Sequence, residues 1–145
     1  MSETMNIYAP RVWRSQTMTR DELLELKPGR ELDALVAEKV MGWKTNWLKT
    51  DWWEEINPNT HRHKGLVKDF KPSTDIAAAF EAETKVIEKD PSMYVHALAS
   101  VVFGYSQVQD ISDIRKMCML IHATPEQRCK AALLAVMNGE DETHD

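Results

Sequence analysis

Apolar positions recur at helical spacing in three parts of the chain and lose that spacing between them. In "RELDALVAEKVM" (30–41), Leu32, Leu35, Val36 and Val40 fall on one face, the mark of an amphipathic helix. Gly42 follows, where a left-handed C-terminal cap belongs. A second helix is predicted in "KPSTDIAAAFEAETKVIEKD". It must stop before Asp90-Pro91, because a proline disfavours helix for the residue preceding it. Ser73, Thr74 and Asp75 at its start are all competent N-caps, and Asp75 also suits the positive end of the helix dipole. Ile76, Ala79, Phe80 and Ile87 form the expected buried stripe, while three consecutive alanines allow close approach to a sheet. The third helix, "TPEQRCKAALLAVMNG", has the clearest signals. Thr124 is its N-cap, Pro125 takes the first helical position, and Gln127 completes a capping box. Cys129, Ala132, Leu133 and Val136 make its apolar stripe, and Asn138-Gly139 its stop.

Between the first two helices, residues 43–71 mix Trp, Thr, Leu and Val with turn formers such as Asn57-Pro58-Asn59 and Gly65. That composition predicts two or three short strands, one near 50–56 and another near 65–70. "DPSMYVHALASVVFG" carries two periods. Tyr94, Ala97, Leu98 and Val101 share a helical face, whereas Met93, Val95, Ala97, Ala99 and Val101 share a strand face. Asp90 as a cap and Gly104 as a terminator favour helix. "ISDIRKMCMLI" (111–121) has the same ambiguity, and "TRDEL" from Thr19 begins a short turn. The pattern predicts an α+β fold with an N-terminal extension (1–29), one domain (30–138) and a disordered acidic tail (139–145).

Two of these segments, "PSTDIAAAFEAETKVI" (72–87) and "ATPEQRCKAALLAV" (123–136), resemble the signature helices of the phage ABA sandwich family. "LDALVAEKVMGW" (32–43) is similar to that family's opening helix, so the resemblance covers roughly residues 30–137. It implies a three-layer α-β-α sandwich with a small, mainly antiparallel sheet, in a small phage or prophage protein working in the cytoplasm of an infected or lysogenic bacterial host. It implies no particular chemistry. The family's usual pair of aromatic strands between the two signature helices is not legible in residues 91–121.

Composition narrows the classes of function. A chain of 145 residues can bury one ordinary core. No apolar run is long enough for a membrane helix, and "MSETMNIYAPRVWRSQ" lacks the apolar centre of a secretory signal. An intracellular setting with reduced Cys118 and Cys129 is therefore expected. The net charge is −5, but residues 43–71 carry six Lys/Arg against four Asp/Glu, with His61 and His63 in addition. An acidic body does not suit duplex nucleic acid. One mildly basic segment can still hold a small anion.

That segment contains the candidate chemistry, "WKTNWLKTDWWEEINPNTHRHKG" (43–65). Trp52 and Trp53 are adjacent, so on a strand they point to opposite faces. Either can fill core, meet a second subunit, or stack a base beside Arg62 and Lys64. His61 and His63, with His96 or His122, are weak metal candidates with no diagnostic spacing. No nucleophile or zinc-protease signature occurs, and Glu54-Glu55 reads as a solvated strand edge. Lys68 and Lys71 precede the helix start at Ser73-Thr74-Asp75, where free amides can hold an anion but capping is the simpler role. The expectation is a non-enzymatic phage accessory protein that needs no cofactor. It acts by binding, as a homo-oligomer, through Trp52, Trp53, Arg62 and Lys64. Its target is a nucleotide-like molecule of a host defence pathway or, in the alternative, a host protein.

Overall fold

The computed structural model describes residues 18–46, 49–57, 60–104 and 114–143. Helix α1 (Arg20–Glu25) comes first. The "TRDEL" segment is thus a helical turn, closed by a full capping box between Thr19 and Glu22. Helix α2 (Arg30–Leu35) continues into a π-helical turn over Val36–Val40. Gly42 then takes a left-handed φ of 76°, and the Trp43 N–H closes back onto the Ala37 carbonyl at 2.9 Å. This is the predicted glycine stop, widened by the π turn.

Three strands follow, β1 (Lys44–Asn46), β2 (Lys49–Asn57) and β3 (Thr60–Leu66). They form an antiparallel sheet in the order β1-β2-β3. The strand expected near 65–70 lies earlier in the chain, because Val67–Asp69 tightens into a 3-10 turn directly after Leu66. A bulge in β3 sets Lys64 between the Gly65–Trp53 and His63–Glu54 pairs.

Helices α3 (Ile76–Lys89), α4 (Pro91–Phe103), α5 (Ile114–Ile121) and α6 (Pro125–Thr143) complete the fold. Residues 91–103 are helix, and residues 114–121 are too. Asp90 caps α4 by accepting the Met93 N–H at 3.0 Å, and Gly104 ends it with φ 78°. Helix α6 runs on through Asn138-Gly139, since a glycine inside a helix costs only about 1 kcal/mol. Residues 144 and 145 of the expected tail lie outside the described residues.

Helix α6 is the hub, touching α1, α2, the π turn, α3 and α4. Residues 128 to 135 are buried around its whole circumference. The buried face of α3 is Ala78, Ala79, Ala82 and Val86, while Ile76, Phe80 and Ile87 are exposed. The expected stripe is therefore rotated. The alanines let α3 close onto α6 rather than onto the sheet, and Phe80 lies instead beneath the Arg128 guanidinium at 4.9 Å. The molecule is α+β with a small antiparallel sheet, as the pattern predicts.

Candidate functional site

The two adjacent tryptophans separate as strand geometry requires. Trp53 is 1% exposed and joins the core. Trp52 lies half-buried on the opposite face, its ring 4.0 Å from that of His63. Arg62 pairs across the ladder with Glu55, and directly opposed residues point to one face. By alternation that face is Trp53's, so Arg62 and Trp52 lie on opposite sides of the sheet. Lys64 bonds Glu55, with Nζ 3.5 Å from Oε1. The four residues read as one platform from the sequence are thus divided between two faces. Glu54 is buried rather than solvated.

The histidines are dispersed. His63 rests on Trp52, while the His61 side chain lies outside the described residues. His96 and His122 are exposed on α4 and just after α5. Among the described residues, no three His, Cys, Asp or Glu side chains come together as a metal site. Neither cysteine is in a disulfide. Cys118 is exposed on α5, whereas burial pushes the Cys129 thiol well above its ordinary range, with the Asp33 and Glu126 charges adding to the shift.

A cavity of about 280 Å³ opens on Trp53's side of the sheet. Trp53, Val67 and Phe70 give it apolar walls, and Gly29, Ala34 and Thr74 complete them. Arg30, Lys68 and Lys71 line it as well, against one carboxylate, Asp33. The fold brings these groups together from four places: the start of α2, the middle of β2, the 3-10 turn and the loop before α3. Phe70 is backed by Trp43, with ring centroids 4.8 Å apart and planes tilted by 60°.

Ser73 holds the two edges of the cavity in register. It is buried, its N–H donates to Asp33 Oδ1 at 2.7 Å, and its Oγ accepts the Gly29 N–H at 2.9 Å. Asp75, whose carboxylate accepts the Ala77 N–H at 3.1 Å, is the N-cap of α3. Ser73 is therefore a brace between segments rather than a cap, because the turn over residues 72–74 directs it back towards α2. Thr124 and Gln127 form the predicted box at the start of α6, with bonds of 2.9 and 3.1 Å.

Two electrostatic features distinguish the cavity. Burial raises the Asp33 carboxyl above the usual carboxylate range, opposed by the Ser73 hydrogen bonds and the Lys71 charge. The Trp53 Nε1–H is buried with no acceptor among the described residues. Such an unpaired donor costs about 1–3 kcal/mol. Three cations line the same space, where they can hold the anionic group of a ligand.

A family model, the phage ABA sandwich domain, matches residues 34–133. The chain belongs to that family. Searches of curated proteins and of solved structures each found no match. The matched span of this phage ABA sandwich domain includes Ala34, Trp53, Val67, Lys68, Phe70, Lys71 and Thr74 of the cavity but not Gly29, Arg30 or Asp33. Those three carry no distinguishing signal in the sequence. Arg30 and Asp33 lie on the polar side of an amphipathic helix, where charge is ordinary. The available signal was the pair Lys68 and Lys71 beside a helix start, which marks one wall of the cavity.

Proposed function

We propose that this protein is a non-enzymatic phage accessory protein that binds an anionic, nucleotide-type small molecule in the cavity beside Trp53. The observation that carries this reading is an aromatic wall and three cations around the same space. Aromatic surface suits a base or sugar face, and Arg and Lys suit a phosphate. The use of such binding in a phage protein is to withhold a signal from a defence pathway in the cytoplasm of the infected host. The ligand is then bound and released unchanged.

Self-association belongs to the same proposal. Trp52 and Leu66 pair across the ladder, and Ile56 shares their face at 57% exposure. This apolar strip suits a second copy. In the alternative reading it is the docking surface for a host protein.

Thermal shift against a panel of cyclic, linear and ADP-ribose-type nucleotides tests the binding. Stabilisation by at least one member is expected, and mass spectrometry should recover that ligand intact. No shift at concentrations well above micromolar sinks the proposal. The mass in solution tests assembly, and a monomer at all concentrations removes the self-association.

A further inference from the structure

Resting on that reading, we propose that the ligand is a phosphorylated ribose of mononucleotide size, and that Asp33 is the residue that recognises its sugar hydroxyls. Size is the first argument. At about 280 Å³ the cavity lies near the lower limit of small-molecule sites, about 300 Å³. One nucleoside monophosphate or sugar phosphate suits that space, and a dinucleotide exceeds it.

Charge is the second argument. A site for a bare anion would be weakened by a carboxylate among its cations, because Asp33 would repel the phosphate that Arg30, Lys68 and Lys71 attract. The carboxylate is nevertheless held firmly in place by the Ser73 N–H. The hydrogen bonds from Ser73 still leave part of a carboxylate's acceptor capacity unused. Vicinal hydroxyls are neutral, carry two donors and can sit within a few ångströms of a phosphate. A ribose phosphate therefore satisfies both signs of charge at once, as an acidic residue reading a ribose does in dinucleotide folds.

Titration calorimetry on the full chain separates the possibilities, using adenosine monophosphate, its 2′,3′-dideoxy counterpart, ribose 5-phosphate and inorganic phosphate. The ribose-bearing ligands should bind about tenfold or more tightly than the dideoxy compound, the equivalent of losing hydrogen bonds to a charged group. Asp33→Asn keeps the size and the acceptor facing Ser73, and should reduce that preference to less than threefold by weakening only the ribose-bearing ligands. Equal binding of the dideoxy compound, or inorganic phosphate binding as well as the rest, overturns the inference. So does full discrimination by Asp33→Asn. If that variant does not fold, the wild-type comparison decides alone. Should larger nucleotides of the panel bind while none of these four does, the binding reading survives and this inference falls. Should no nucleotide bind, both fall.

Discussion

The two halves of the molecule treat buried polar groups in opposite ways. Around α6, charge is deep but answered. Arg128 donates to Glu83 at 2.7 Å and to the Ile121 and Ala123 carbonyls at 2.7 and 3.1 Å. Tyr94 donates its hydroxyl to the same Glu83 oxygen at 2.5 Å. Lys130, equally buried, reaches the Leu24 carbonyl and Glu126. Near the sheet the indole N–H groups of Trp43 and Trp53 are buried with no acceptor among the described residues, and cations line open space beside one of them. A network satisfied internally has no use for a ligand. A cavity lined by three cations and aromatic rings can use one, and that contrast points to the sheet side as the site.

The largest effect should come from breaking the satisfied half. Arg128→Ala removes the cation from the half-buried Glu83 side chain, which then keeps the Tyr94 hydroxyl as its partner among the described residues, and strips the guanidinium from Phe80. Removing one partner of a buried pair typically costs about 3–5 kcal/mol, so urea unfolding should show a loss of that order. Ligand stabilisation should persist in whatever fraction folds, since Arg128 takes no part in the cavity. A loss below about 1 kcal/mol would mean that the network is solvated, and the contrast between the halves would disappear.

A smaller loss is expected where the chain speaks most locally. Thr124→Ala removes the hydroxyl that accepts the Gln127 N–H and should cost about 1 kcal/mol, read from the denaturation midpoint. An unchanged midpoint would show that α6 is held by packing alone. This position also shows what was legible in the sequence. Caps at Thr124, Asp75 and Asp90, and stops at Gly42 and Gly104, depend on residues a few positions apart, and each is found as predicted. The second strand lies earlier than its residue pattern predicts, because the Val67–Asp69 turn cannot be distinguished from a strand by residue type. The stripe on α3 was rotated because Phe80's partner is Arg128, distant in sequence. The cavity was half legible for the same reason. Lys68 and Lys71 stand beside a recognisable helix start, but nothing near Trp53 or Lys71 in the chain announces Arg30 and Asp33.

The smallest effect separates the halves by pH. Burial raises Asp33's carboxyl above its usual range, and the Ser73 hydrogen bonds and Lys71 only partly offset it. The folded protein therefore holds this proton more tightly than the unfolded chain does. The cost of burying the ionised form is fully present above the folded pKa. It falls away as pH drops through that value towards the ordinary carboxylate range. Asp33→Asn carries no such cost, so melting curves should place it above wild type at neutral pH, with the gap closing on acidification. A gap of the opposite sign at neutral pH would mean that the ionised carboxylate is a net stabiliser through Ser73 and Lys71. Asp33 would then belong with Glu83 and Lys130 among the satisfied groups, and its place in a ligand site would lose its physical basis.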